Sequence, residues 1–377
     1  MRNDSELYGE PDGCMRRAFP EIQMIFLFQI GKSLYTETYV FFQPFGAYFF
    51  LGTMMNGLQI VWYDILPLIV FIAAGWFLDG KFRLDENTYR KLTSYVVLPC
   101  FVFYNLAQYK GESSWTWLLP AAAGLLLILY GVSLAVSYFL PAGSAGRKVF
   151  RAAAVFPSSG HIGAALVFLV YTQPPFGKGS NTPFLPEAMG AMIVLMLLME
   201  LLVHTVGASL AKDRIPSWKE ALLVPVKMPV LYAAVLAEAA RFFGISVEHT
   251  FLWPVLEHFN GAFIILITVT IGVWLRRHHA FRVTGPALGA AFCKLFLSPA
   301  IAAGFLLAIR PEDPVAAQVF LIYAALPSSL ALIMYARQEE ACALQAEQTV
   351  SLAAVLGIFT VPAVIWLSRL LFPVTGG

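Results

Sequence analysis

The sequence has few charged residues for its length. Of its 377 residues, 13% are Asp, Glu, Lys or Arg, whereas a soluble globular domain carries about 25%. Hydrophobic residues make up 59% of the chain, and the mean hydropathy is +0.71. This composition excludes an ordinary soluble domain and indicates an integral membrane protein.

Motifs for metal binding and catalysis are also missing. The four cysteines are scattered and have no metal-binding or redox spacing, so we expect free thiols and no bound metal. There is no phosphate-binding loop, no Gly-x-Ser-x-Gly elbow and no His-Glu-x-x-His pair. The net charge is +2, and no long basic tract suggests a nucleic-acid partner. We therefore expect a protein that is not an enzyme and that binds no cofactor other than a possible coupling ion, H⁺ or Na⁺. Without a nucleotide site, it would have to be driven by an ion gradient or by a partner subunit.

Long apolar segments are abundant, and each is close to the roughly 20 residues that cross a bilayer as a helix. The hydropathy pattern predicts ten such spans, at residues 62–78, 89–108, 117–140, 149–171, 187–210, 220–243, 252–275, 286–309, 315–336 and 347–371. The expected fold is therefore all-α and integral to the membrane. A barrel would instead require alternating strands of about ten residues.

The predicted spans divide into two sets of five, 61–210 and 220–377, joined by the polar connection 211–219. Five is odd, so the second set must enter the membrane inverted relative to the first, as in many secondary carriers. The connections after odd-numbered spans are rich in Lys and Arg, for example Arg147, Lys148 and Arg151. We therefore expect these connections in the cytoplasm, both ends of the ten-span core outside, and a multi-pass protein of the cell membrane.

Residues 1–60 differ from the rest of the chain. The segment Phe19 to Met55 is aromatic but interrupted by charged residues and Pro44, and it lacks a clean signal-peptide pattern. Three interpretations remain open for this extension: an interfacial helix, an additional span, or a leader before a true start at Met54 or Met55. An additional span would put the N-terminus inside the cell.

One motif occurs twice, 170 positions apart. Residues 149–159 read VFRAAAVFPSS and residues 319–329 read VFLIYAALPSS, with six of eleven positions identical. Pro157 and Pro327 remove a backbone donor inside predicted spans four and nine. Paired breaks at matching places in two halves indicate a transporter's binding site. The alternative is a pair of ordinary proline kinks relieved by serine hydroxyls.

The residues after these prolines are the predicted substrate-binding residues. Free amides at the start of two half-helices attract anions, so two crossing breaks would form a small polar chamber suited to a carboxylate. The predicted chamber residues are Ser158, Ser159, Gly160, His161, Gly163, Ser328 and Ser329. His161 could donate a hydrogen bond to the substrate or carry a proton. The alternative is a buried neutral histidine that is hydrogen-bonded to a carbonyl.

Four ionisable residues inside the spans are further candidates. Glu200 and His204 are four positions apart on one helix face, which suits either proton coupling or a structural pair. Lys294 lies in predicted span eight, where it would snorkel toward the cytoplasmic surface or attract an anion. Lys227, beside two prolines, has the same two interpretations.

Several short motifs resemble the auxin efflux carrier (AEC) family of transporters. They are Asp64-Ile65-Leu66-Pro67, Gly75-Trp76-Phe77-Leu78, Val97-Leu98-Pro99, Gly160-His161-Ile162-Gly163 and Leu326-Pro327-Ser328-Ser329, within a resemblance that covers roughly residues 60–371. The resemblance implies two inverted five-helix repeats with crossing broken helices at spans four and nine. It also implies elevator-like transport of small organic anions and a scaffold of spans one, two, six and seven that forms a homodimer.

The sequence departs from that family's pattern at three positions. Ser158 stands where the family commonly has asparagine, Ala165 where it has proline, and Met228-Pro229 where it has Asn-Pro. We expect a secondary transporter of mono- or dicarboxylates whose substrate differs from those of the better-known members. The alternatives are a membrane-embedded ligand sensor and a sodium-coupled symporter of the bile-acid type.

Overall fold

The structure, a computed structural model, describes residues 57–109, 115–140, 143–177, 181–207, 225–277, 282–336 and 340–374, together with positions 111 and 223. Within these ranges the chain is helical, with short connections, one isolated β-bridge and no strand. The N-terminal extension up to residue 56 and the connection 211–219 lie outside the described residues. The prediction of an all-α chain is confirmed for the described part.

The helices lie close to the predicted spans. Their bounds are α1 Gly57–Phe82, α2 residues 86–108, α3 Leu118–Phe139, α4 Ser144–Val155, α5 Ser159–Thr172, α6 Leu185–Gly207, α7 Pro229–Phe242, α8 Trp253–Arg277, α9 Gly285–Ile309, α10 Pro314–Ala325, α11 Ala331–Ala336 and α12 Glu340–Leu371. Six of them, α1, α3, α6, α8, α9 and α12, are long and apolar enough to cross a membrane. Predicted spans four and nine are each two helices, α4 with α5 and α10 with α11.

Several helices begin at capping residues that the sequence supplies. The Asp313 carboxylate accepts a hydrogen bond of 2.9 Å from the Ala316 N–H, and Pro314 occupies the first helical position of α10. The Thr284 side chain accepts from Ala287 N–H at the start of α9. These contacts satisfy amides that have no partner within the helix, which fixes where α9 and α10 start.

The helices form two packed groups. In the four-helix group, α1 packs on α8, and α2 packs on α7 and α8. The eight-helix group contains α3, α4, α5, α6, α9, α10, α11 and α12, in which α12 contacts α4, α9 and α10, and α6 contacts α5 and α10. The core of the second group is dense, and every residue of α10 from Val315 to Ala325 is buried.

Two glycines allow α1 and α8 to pack closely. A Cβ at Gly75 would collide with the carbonyl oxygen of Val269, and a Cβ at Gly272 would collide with the carbonyl oxygen of Ile72. Small residues permit this backbone approach between membrane helices, where lipid supplies no hydrophobic driving force for association. At the end of the same interface, Arg277 Nε donates to Asp79 Oδ2 at 3.1 Å.

Proline also shapes three of the continuous helices. Pro67, Pro99 and Pro299 each follow a π-helical turn that ends two residues earlier, at Ile65, Val97 and Leu297. In each turn the N–H of the residue before proline bonds to the carbonyl five positions back. Because proline has no N–H, the hydrogen-bond ladder must skip a position, and a π turn is one way to do so.

A fourth turn has this geometry without a proline. In Ser159–Gly163 the Ala164 N–H bonds to the Ser159 carbonyl, five positions back, and the next residue is Ala165. Ala165 therefore stands where the other three turns have proline. The backbone keeps the proline-adapted shape although the proline is absent.

We predict that Ala165→Pro is tolerated. The substitution should change the free energy of unfolding by less than about 1 kcal/mol, because the local ladder already matches that of a turn followed by proline. Leu166→Pro, one residue later, should cost about 3 kcal/mol or more, because it falls in the regular helix α5. Thermal melting of the two purified variants in detergent measures the difference. An equal loss of stability in both variants would contradict the conclusion that the turn Ser159–Gly163 already has the geometry of a turn followed by proline.

Candidate functional site

The two breaks in the helices meet. α4 ends at Val155 and α10 ends at Ala325, again 170 positions apart. The extended residues that follow pair antiparallel, with a bridge between Pro157 and Ser328. Two backbone hydrogen bonds hold the pair, from Ser158 N–H to the Pro327 carbonyl (2.8 Å) and from Ser329 N–H to the Phe156 carbonyl (2.9 Å). The chain thus satisfies at the crossing those backbone groups that the breaks release from the helices.

The serine side chains at the crossing have different roles. The Ser328 hydroxyl donates to the Ala153 carbonyl at 2.7 Å, in the last turn of α4. Ser329 Oγ accepts from the Ala331 N–H at 3.3 Å. The Ser158 hydroxyl is buried and has no hydrogen-bond partner among the described residues. Ser159 is buried as well.

Two glycines are needed where α5 begins. A Cβ at Gly163 would collide with the Met192 methyl group and would lie 2.6 Å from Leu326 Cδ1. A Cβ at Gly160 would lie 3.0 Å from Glu200 Oε1. Glycine at these positions therefore lets α6 and the second break approach the first turn of α5.

A cavity of about 370 Å³ lies between the two helix groups, beside this crossing. From the eight-helix group it is lined by Gly160, His161, Glu200, His204, Leu330, Ala331 and Ile333. From the four-helix group and the residues before α7 it is lined by Glu86, Arg90, Lys91, Thr93, Ser94, Tyr95, Leu98, Lys227, Met228, Pro229, Val230, Phe263, Ile267, Thr270 and Trp274. The cavity combines an apolar wall with three basic side chains, of Arg90, Lys91 and Lys227, and two carboxylates, of Glu86 and Glu200.

The structure separates the predicted chamber residues into two sets. Gly160 and His161 line the cavity, whereas Gly163 and the serines at 158, 159, 328 and 329 do not. Predicted partners Glu200 and His204 also line the cavity, with His204 Nε2 3.4 Å from Glu200 Oε2. With Glu86, two carboxylates and two imidazoles therefore face the same space.

Lys294 does not reach the surface, contrary to the snorkelling interpretation. Its side chain is 0% exposed in the π-helical turn Cys293–Leu297, and its Nζ lies 3.4 Å from Ser298 Oγ. Neighbouring helices enclose the lysine stem before it can extend to either end of α9. Lys294 is also not among the residues that line the cavity.

A buried ion pair joins the two groups near the start of α1. Arg369 Nη2 in α12 lies 3.1 Å from Asp64 Oδ2 in α1, and Asp64 is fully buried. The Arg369 guanidinium also stacks over the Phe176 ring at 5.0 Å. Nearby, the Tyr171 hydroxyl donates to Gln318 Oε1 at 2.9 Å.

Sequence reasoning missed several of these residues. Arg90 and Lys91 indicate only orientation in the sequence, and Thr93 has no distinguishing pattern there, yet all three line the cavity. Asp64 and Arg369 are separated by 305 positions, so no local pattern links them. The sequence did contain a signal for Asp64, because an aspartate inside an apolar span is energetically costly and usually has a partner in the protein. It did not indicate that the partner is Arg369.

Ser158 and Ser328, the equivalent serines of the two breaks, provide a matched test of structure. Ser328→Ala should lower the free energy of unfolding by about 1–3 kcal/mol, because it removes the partner of the buried Ala153 carbonyl. Ser158→Ala should change it by less than about 0.5 kcal/mol, because that hydroxyl has no partner to lose. Thermal melting in detergent distinguishes the two. A loss of stability in Ser158→Ala as large as in Ser328→Ala would show that the Ser158 hydroxyl is bonded.

Comparison with known proteins agrees with this architecture. The model of a family described as membrane transport protein matches residues 60–366, which is most of the chain and includes both breaks and the cavity. A search of curated proteins found no match. The chain belongs to this family of membrane transport proteins, the auxin efflux carrier family.

Proposed function

We propose that the chain is a secondary active transporter that moves small organic anions, such as mono- or dicarboxylates, across the cell membrane. The observation that carries the proposal is the cavity between the two helix groups. It is about 370 Å³ in volume, which is within the usual range for small-molecule sites. The residues that follow the two breaks, Gly160, His161, Leu330 and Ala331, line it together with Arg90, Lys91 and Lys227.

The charge of the cavity favours an anion. Its three basic side chains outnumber its two carboxylates, Glu86 and Glu200. An excess of positive charge in a cleft attracts negatively charged solutes and raises their local concentration. The apolar residues Phe263, Ile267 and Trp274 would contact the hydrocarbon part of the substrate. The first turn of α5, beginning at Ser159, provides amides with positive partial charge beside the cavity.

We further propose that the eight-helix group moves relative to the four-helix group in an elevator-like cycle. α1, α2, α7 and α8 correspond to the predicted scaffold spans, and the cavity lies at the boundary between the groups. With the orientation expected from Lys and Arg, the cavity opens to the cytoplasm and the Asp64–Arg369 pair closes the outer side. The two inverted five-helix repeats belong to the same proposal, supported by the matching positions of the two breaks.

Transport by the purified protein in proteoliposomes tests the proposal. A panel of radiolabelled mono- and dicarboxylates, with pH and sodium gradients imposed separately, should give saturable flux for at least one carboxylate. Saturable binding without flux would instead favour a ligand sensor. Flux that requires sodium would favour a symporter of the bile-acid type.

We predict that Gly160→Val blocks transport. The valine side chain would project toward Glu200 and Met196, whose nearest atoms lie 3.0 and 3.6 Å from a Cβ at this position. Glu200 and Met196 would have to move to admit the valine, at a cost of about 1–3 kcal/mol, and this would reshape the cavity wall and reduce flux to background. Flux in proteoliposomes measures the effect. The matched control is Gly131→Val in α3, where a Cβ would meet open space, and unchanged flux in Gly160→Val would contradict the site.

We also propose that Glu200 and His204 couple transport to protons. Glu200 lies beside the break and contacts His204 within the cavity. Glu200→Gln should retain carboxylate flux but lose its response to an imposed pH gradient, because the amide keeps the shape and takes up no proton. Flux with and without the gradient measures this. Glu238→Gln, which alters an exposed pair with Arg241, is the control, and a gradient response that survives in Glu200→Gln would refute coupling through this residue.

A further inference from the structure

Lys294 is a fully buried lysine for which the proposed transport cycle has no role. It lies in the π-helical turn Cys293–Leu297 near the middle of α9, and this turn contacts both α4 and α10. These are the two half-helices that end at the breaks. The lysine is thus held next to the crossing, on a different side from the cavity that His161 and Glu200 line.

The contacts of Lys294 lead to the end of a helix. Its Nζ lies 3.4 Å from Ser298 Oγ, and the Ser298 hydroxyl donates to the Ala324 carbonyl at 2.8 Å. Ala324 is in the last turn of α10. Among the described residues no carboxylate forms an ion pair with Lys294. The chain of contacts therefore runs from the ammonium to a helix end and not to an acidic side chain.

Helix ends explain why a cation is stable there. The last carbonyls of a helix have no partner within the helix, and the aligned peptide dipoles give that end a negative partial charge. Because α4 and α10 both end at the crossing, two negative ends lie within one water-poor region. A positive charge is favoured at such a place, whereas an unpaired ammonium elsewhere in the apolar core would be strongly disfavoured.

We propose that the Lys294 ammonium is the built-in countercharge for the carboxyl-terminal ends of α4 and α10. It has the role that a bound monovalent metal cation would have at the crossing. The chain therefore needs neither Na⁺ nor K⁺ to stabilise the crossing. Lys294 is a positioning residue, because it acts on the helix ends and through them on the break, and it does not contact substrate in the cavity.

The first test uses the wild-type protein purified in detergent. Its melting temperature should be the same in sodium, potassium and choline chloride at equal ionic strength. A specific increase in sodium or potassium chloride would overturn the proposal, because the site would then accept a metal ion in addition to the lysine. This readout does not depend on which solute the protein transports, so it remains valid if no carboxylate flux is found.

The second test removes the charge in two ways. Lys294→Met keeps an unbranched side chain of similar length without the charge, and it should lower the melting temperature by about 2–6 °C in every salt. Lys294→Ala leaves space, so propylammonium chloride should restore part of its lost stability, whereas choline chloride, whose cation is too bulky for the space, should not. Recovery by an amine distinguishes a charge effect from lost packing.

The control is Lys81→Met at the end of α1, where the lysine lies over the Phe82 ring. Its melting temperature should not respond to propylammonium. A Lys294→Met variant as stable as wild type, or a Lys294→Ala variant with no response specific to small amines, would overturn the proposal. In either case Lys294 would serve as an uncharged spacer.

Discussion

The structure depends on one constraint, which is that a backbone released from a helix inside an apolar core must find partners within the protein. The two breaks satisfy this constraint by pairing with each other. Proline suits the positions at which α4 and α10 stop, because it has no N–H that would need a partner. Ser158 and Ser329 supply the donors, and the carbonyls of Phe156 and Pro327 accept them.

The crossing in turn determines where a small molecule fits. Because α5 starts again directly after the break, its first turn contacts both α6 of its own group and α8 of the four-helix group. Gly160 leaves room for Glu200, and His161 reaches the cavity from the same turn. The buried Asp64–Arg369 pair joins the groups near the start of α1. A buried pair of this kind loses hydration when it forms, so it need not be strongly stabilising.

Sequence reasoning succeeded where the information is local. Proline in an apolar run predicts a break regardless of what surrounds it, and the repetition of that proline at a spacing of 170 residues marked both breaks. Glu200 and His204 could be paired because four positions span one turn of a helix. The family resemblance, carried by motifs spread over the chain, was also correct.

The sequence alone therefore determined the helical fold, the approximate bounds of the spans, the two breaks and the family. Tertiary structure decided which side chains share the cavity, and it placed Arg90, Thr93 and Lys227 opposite His161. It also decided that Lys294 is enclosed and does not extend to the surface. The reason is physical: hydropathy and proline act within one segment of the chain, whereas burial of a charge depends on which distant helices pack around it.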